Sequence, residues 1–337
     1  MARAFICGCA GLALSAGEIA FLRESDPWGL ILFKRNVGDR EQLRALTKSF
    51  RSTVGRDDAP VLIDQEGGRV QRMGPPHWRA YPAAARFDAS LPVGDAEDAA
   101  RLTARLIAHD LREVGITIDC APVLDVAEPG THAVIGSRAL SERPERVAAL
   151  ARACAEGLMA GGVAPVVKHI PGHGRATADS HQKLPVVATD RATLEATDFA
   201  AFRPLAGLPM AMTAHVVYSA LDPENPATTS PIIVREIMRQ EIGFDGLIMS
   251  DDVSMKALGG PFEARVRAIF AAGLDVALHC NGDLEEARSV ASETPELAGR
   301  ALERAEAALA AARVPESLDL AEAERRFNVM MTAVVAA

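Results

Sequence analysis

The chain has 337 residues, 49% of them hydrophobic and 24% charged, with a formal net charge of -9. That is ordinary globular composition with enough length for a large core. The absence of a long basic block excludes nucleic acid as the main partner, and the absence of any run of 18 uncharged apolar residues excludes an expected membrane span.

The first sixteen residues, "MARAFICGCAGLALSA", have the outline of a weak secretion signal. A β-strand over 4–10 is the better reading, followed by a helix opening at Ser15 with Glu18 three residues on, as in a capping box. Further short apolar runs follow at 29–33, 60–64, 117–126, 164–170, 211–217, 246–252 and 275–281, making eight with the first. Most are continuous rather than alternating in polarity, which fits parallel strands buried on both faces. Between them the pattern predicts helices over 39–53, 95–114, 144–161, 191–203, 231–241, 262–272 and 284–312. Eight β/α units without a break predict a single (β/α)8 TIM-type barrel rather than a doubly wound sheet. The five cysteines, Cys7, Cys9, Cys120, Cys154 and Cys280, sit mostly in apolar runs. They read as reduced core residues, not as a disulfide framework or a zinc site.

Polar residues collect at the C-terminal ends of the strands: Asp64, Asp125, Lys168 with His169, His215, Asp251 with Asp252, and Asn281. That end of a barrel carries the active site, so these residues predict one convergent polar pocket. After Lys168 the sequence runs "KHIPGHGRATADSHQKLP", and the next helix starts only near Arg191. A βα loop of about twenty residues is long enough to be functional. Gly172 and Gly174 are read as hinges or tight turns within it. Asp179 stands two residues before His181, and an aspartate beside an imidazole orients the ring and stabilises its cation. His181 is then able to deliver a proton near neutral pH. The spacing of His169, His173 and His181 matches no common zinc pattern, so neither metal nor cofactor is expected.

In "IMSDDVSM", adjacent strand residues point to opposite faces, so only one of Asp251 and Asp252 faces the reaction centre. The other is expected to hold the loop or a backbone donor. A carboxylate at that position is a natural nucleophile in glycoside chemistry. In "IDQEGGRVQR", Asp64 is suited to accept from sugar hydroxyls and Arg69 or Arg72 to donate to them.

Taken together, "ILFKRN" (31–36), "IDQEGGRVQR", "APVLDV" (121–126), "KHIPGHG" with "DSH", "AHVVY" (214–218), "GFDGLIMSDD" (243–252) and "HCN" (279–281) resemble the bacterial cytosolic β-N-acetylhexosaminidases of glycoside hydrolase family 3. The resemblance covers about residues 28–282 in matching order. It implies one catalytic barrel domain over 1–337, with a C-terminal helix at about 284–325, working in the cytoplasm without a cofactor. It implies a retaining exo-glycosidase that removes non-reducing β-linked N-acetylglucosamine through a covalent glycosyl-enzyme. The implied substrates are N-acetylglucosaminyl-anhydromuropeptides met in peptidoglycan recycling. By position, Asp251 matches the nucleophile and His181 the acid/base, partnered by Asp179. Asp64, Arg72, Lys168 and His169 match sugar-binding positions, as does Arg138 in "IGSRAL". The sequence departs from the family's usual G-E-R-S there, with Ser137 for Glu and Ala139 for Ser. Larger relatives carry a second domain that contributes catalytic residues; here the loop after Lys168 is expected to supply the acid/base. An imidazole in place of a second carboxylate repels an anionic acceptor less, which keeps phosphorolysis open beside hydrolysis. A β-glucosidase and a catalytically idle sugar-binding barrel are the other readings; the intact Asp251, Asp179 and His181 argue against the latter.

Overall fold

The computed structural model describes residues 1–128, 134–176, 178, 180, 183–312 and 314–336. All eight apolar runs form strands: β1 (Arg3–Gly8), β2 (Pro27–Leu32), β3 (Val61–Ile63), β4 (Ile118–Asp119), β5 (Ala164–Ile170), β6 (Met210–Thr213), β7 (Leu247–Asp252) and β8 (Val276–His279). Each pairs in parallel with the next, and β1 pairs with β8 at Phe5 and Ala277, so the sheet closes into a barrel. The sequence predicts this fold, and the structure has it.

β4 is much shorter than its apolar run. Pro122 has no N–H to offer a ladder, yet the chain beyond it still leans on β5, where the Leu124 N–H donates to the Lys168 carbonyl at 2.6 Å.

Alternation along the strands sorts two apolar layers. Ala4, Ile6, Ala164, Val166, Met210, Met212, Leu247, Met249, Val276 and Leu278 fill the barrel interior. Phe5, Cys7, Val167, Ala211, Ile248 and Ala277 face the surrounding helices. The same two-residue period carries Lys168 and Asp251 inward at the C-terminal ends of β5 and β7.

Ser15 caps the first helix, Ala16–Ser25, and Glu18 completes the capping box. Two predicted helices are subdivided. The stretch 191–203 forms Arg191–Ala196 and Asp198–Phe202, because Thr197 leaves helical geometry. The C-terminal stretch expected as one helix over 284–325 is three: Leu284–Ser292, Gly299–Ala311 and Leu320–Ala336. Pro295 and Pro315 stand in the two breaks, where each removes a backbone donor. Leu297, Ala305 and Ala308 from the middle segment join the interior cluster, so helix Gly299–Ala311 plugs the end of the barrel opposite the strand C-termini. The final helix reaches back to the loop after β3. Phe327 packs edge-on against Tyr81 at 5.8 Å, and Arg79 donates to Glu324 at 2.7 Å. The Tyr81 hydroxyl donates to Asp110 at 2.6 Å. Among the described residues no helix is long and apolar enough to cross a membrane. The five cysteines are unpaired, four of them buried.

Candidate active site

A cleft of about 470 Å3 opens at the C-terminal end of the barrel. Asp64, Arg72, Arg138, Lys168, His169 and Asp251 all line it, six of the eight residues singled out from the sequence. The other two, Asp179 and His181, lie outside the described residues.

Asp64 ends β3. It accepts from Lys168 Nζ at 2.8 Å and from an Arg72 terminal nitrogen at 3.0 Å. Burial alone would raise its pKa, but the Lys168 and Arg72 charges outweigh burial and hold the carboxyl well below the ordinary range. Two residues on, a short hairpin pairs Gln65–Gly67 with Val70–Gln71 and directs Glu66 back to the same lysine at 2.7 Å. Glu66 also takes Arg138 side-on, with Nε at 2.8 Å and a terminal nitrogen at 2.7 Å. Arg138 therefore joins the cluster despite the altered residues beside it. Lys168 is almost completely buried, and burial would lower its pKa; the Asp64 and Glu66 carboxylates raise it instead, so the ammonium stays charged. Asp119, at the end of β4, accepts the Gln65 N–H at 2.9 Å and fastens the hairpin to the barrel.

Phe33 and Arg35 also line the cleft. Two guanidinium groups stand over the Phe33 ring, Arg35 at 5.0 Å and Arg72 at 5.2 Å from its centroid. Arg69 instead spans to the backbone carbonyls of Val134 and Ile135.

His169 donates from Nδ1 to Asp125 at 2.7 Å, which leaves Nε2 as the nitrogen available to a ligand. Asp125 further accepts the His173 N–H at 2.6 Å. Although burial opposes it, the His169 imidazole and these bonds hold Asp125 at about 2. A depressed carboxyl stabilises the fold above its unfolded pKa, and that contribution is lost as pH falls through the folded value. The melting temperature is therefore expected to hold between about pH 7 and 5 and to drop between about pH 4 and 2. Asp125→Asn is expected to cost about 2 kcal/mol at pH 7 and to flatten the acid limb; a variant with the wild-type limb would show that Asp125 does not drive it.

Of the two readings of Gly172 and Gly174, the tight turn is the one that the structure has: the Gly172 N–H donates to the His169 carbonyl at 2.7 Å, with Gly172 at a φ of 139°. Both are buried. A Cβ on Gly174 would stand 1.8 Å from the Val126 carbonyl oxygen, and one on Gly172 would stand 2.8 Å from the Asp198 side chain. Glycine here permits close packing. Arg175 pins the same segment, donating to Asp198 at 2.6 Å and pairing with Glu128. Farther on, the buried Ser180 bonds His173 Nε2 at 3.2 Å, and its carbonyl accepts the Ala257 N–H. The loop is thus seated on the loop that follows β7. Burial and the charge of His169 push His173 down to about 4, so its ring is neutral at ordinary pH.

At the tip of β7 both aspartates line the cleft, but their carboxylates are held differently. Asp252 accepts N–H bonds from Ser254 and Cys280, both at 3.0 Å, and so ties β7 to the end of β8. His215 donates from Nε2 to the Asp252 carbonyl at 3.0 Å and accepts from Thr228 at 2.7 Å. Asp251 is part exposed to the cleft. Asn281 reaches the rim but is engaged with Glu286 and the Asp283 N–H. Among the described residues no three His, Cys, Asp or Glu side chains group as metal ligands.

Sequence reasoning left Glu66, Phe33 and Arg35 without a role. Glu66 stands two residues after Asp64 across a hairpin, and its proximity to Lys168 and Arg138 is tertiary.

The profile of the glycosyl hydrolase family 3 N-terminal domain matches residues 15–317. A β-hexosaminidase of Alkalilimnicola ehrlichii is 42% identical over 286 residues, 81% of this chain and 79% of that one. The structure of NagZ from Neisseria gonorrhoeae in complex with N-trifluoroacetyl-D-glucosamine superposes with a TM-score of 0.78 at 32% identity, over 93% of this chain and 99% of that one. A family 3 β-N-acetylglucosaminidase from a Paenibacillus species gives a TM-score of 0.82 at 29% identity, with the chain spanning 92% of its own length and 60% of that protein. A profile match over most of the sequence, relatives above 40% identity and a shared barrel agree: the chain belongs to glycosyl hydrolase family 3 and is a glycoside hydrolase, of the branch whose curated members are β-hexosaminidases.

Proposed function

We propose that the enzyme releases non-reducing terminal β-linked N-acetylglucosamine by a retaining mechanism. The observation that carries this is the cleft itself. Cations (Arg35, Arg69, Arg72, Arg138, Lys168), carboxylates (Asp64, Asp252) and one imidazole (His169) line the same space as Asp251. A pyranose presents a ring of hydroxyls that both donate and accept, and such a mixed set suits it. Asp251 is the nucleophile in this reading: it attacks the anomeric carbon while the glycosidic C–O bond breaks. His181, oriented by Asp179, gives the departing oxygen its proton. His181 then takes a proton from water, which attacks the anomeric carbon and restores Asp251.

The whole chain, 1–337, acts as one catalytic unit here, and the loop after β5 supplies the acid/base. The relatives' printed names and the bound N-trifluoroacetyl-glucosamine of the Neisseria protein support the N-acetylglucosaminide. N-acetylglucosaminyl-anhydromuropeptides, met in the cytoplasm during peptidoglycan recycling, are the natural substrates under this proposal.

With paired nitrophenyl β-glycosides, the N-acetylglucosaminide is expected to show a clearly higher kcat/KM than the glucoside. Free N-acetylglucosamine, not its 1-phosphate, is expected as the product in phosphate buffer. Equal or reversed rates would remove the substrate assignment, and sugar phosphate would make the enzyme a phosphorylase.

A further inference from the structure

Glu66 is buried behind the cleft, with its side chain 5% exposed. It lines a separate cavity of about 40 Å3 on the far side of the cleft wall, a space shared with Arg138 but not with the other sugar-binding candidates. Its two oxygens accept Arg138 Nε and an Arg138 terminal nitrogen, and one of them pairs with the Lys168 ammonium at 2.7 Å. We propose that Glu66 is a positioning residue of the sugar site, holding Lys168 and Arg138 together as one fixed donor edge without touching the sugar. The proposal rests on the reading of the cleft as the sugar site.

Donor counting supports it. Of the three N–H groups of the Lys168 ammonium, Asp64 takes one, and the Glu66 carboxylate pairs with the ammonium by charge at 2.7 Å. Arg138 has five; Glu66 takes two and the Val134 carbonyl takes one, which leaves two on the terminal nitrogens. Uncommitted N–H donors therefore remain on both side chains, and both line the cleft. A lysine side chain is flexible and its ammonium is a point charge, so carboxylates on two sides are needed to fix it. Arg138 stands on a single turn, Gly136–Arg138, flanked by the uncharged Ser137 and Ala139. Glu66 is the one carboxylate paired with it among the described residues. Without Glu66, two cations would face each other across the wall with only Asp64 beside Lys168, and Arg138 would lose the partner that sets its plane.

The test is a double-mutant cycle on the nitrophenyl N-acetylglucosaminide, using Glu66→Gln, Arg138→Ala and the pair. Each single change is expected to lower kcat/KM by about 10²-fold, mainly through KM, with inhibition by free N-acetylglucosamine weakened in step. Because the two residues act as a unit, the pair is expected to be within about fivefold of the worse single variant. Additive losses, near 10⁴-fold for the pair, would overturn the proposal. So would a loss confined to kcat that follows the folded fraction in a thermal melt, because a purely structural residue lowers the amount of active enzyme and leaves KM alone. If Glu66→Gln melts below the assay temperature, Glu66→Asp takes its place in the cycle, with the same coupling and the same KM rise expected. A wild-type enzyme inert on this substrate would instead refute the sugar-site reading.

Discussion

Asp251→Ala is expected to lower kcat/KM by roughly 10⁵-fold on every glycoside, whatever the leaving group. The reason is positional. Asp251 stands on the inward parity of β7, continuing Leu247 and Met249, and it is partly buried at the cleft wall, where its Oδ1 accepts the Asp252 N–H at 2.8 Å. Asp252, one residue on, has its carboxylate spent on the N–H groups of Ser254 and Cys280. The two aspartates should therefore fail differently. Asp252→Ala should lower the melting temperature, since it unties β7 from β8. Asp251→Ala should leave melting nearly unchanged. A 2-fluoro or 5-fluoro glycosyl inactivator should label a peptide at Asp251. Label on Asp252 or Asp64 would show that the nucleophile is another carboxylate.

The second large effect concerns His181. General acid catalysis contributes about 10²–10⁴-fold, and only where the departing oxygen needs a proton. A sugar alkoxide needs one; a dinitrophenolate leaves readily without it. His181→Ala should therefore slow glycosylation strongly with disaccharide-like substrates and much less with activated aryl glycosides. Breakdown of the glycosyl-enzyme also loses its base. Added azide, which needs no deprotonation, should speed turnover of the activated substrate and give a β-glycosyl azide. Asp179→Ala should show a milder form of the same pattern, because the imidazole remains without its partner. Equal slowing of all substrates, with no response to azide, would assign His181 to structure or binding.

The barrel was legible because its strands are buried on both faces, so eight continuous apolar runs stand out against amphipathic helices. Polar residues at the ends of those runs located the mouth for the same reason: a charge that close to a core is placed there by need. Strand parity also separates Asp251, which continues the inward row of β7, from Asp252, whose carboxylate holds the N–H groups of Ser254 and Cys280. Other features depend on tertiary contact and left no periodic trace. Glu66 looks like one more turn residue in "IDQEGGRVQR" until Lys168, 102 positions later, and Arg138 are seen to converge on it. Gly172 and Gly174 read as hinges or tight turns until Asp198 and the Val126 carbonyl are found against them. The C-terminal stretch read as one helix because its amphipathic composition continues through Pro295 and Pro315.

The closure of the barrel bears on the order in which the chain folds during synthesis. β1 has only one of its neighbours, β2, until Val276–His279 have been made, since its other ladder joins Phe5 to Ala277. The segment that follows the Glu66 hairpin waits longer still for its last contacts. Gly68, Gln71 and Tyr81 are stitched together by backbone and side-chain bonds, but Arg79 and Tyr81 find Glu324 and Phe327 only when helix Leu320–Ala336 exists. Contacts of such long sequence separation form late, after loop-closure entropy has been overcome. A nascent barrel would thus expose the edges of β1 and the growing end of the sheet for most of translation, a state prone to pairing with other chains. The sugar site would be completed only after nearly the whole chain is present, so partly made enzyme would not turn over its substrate.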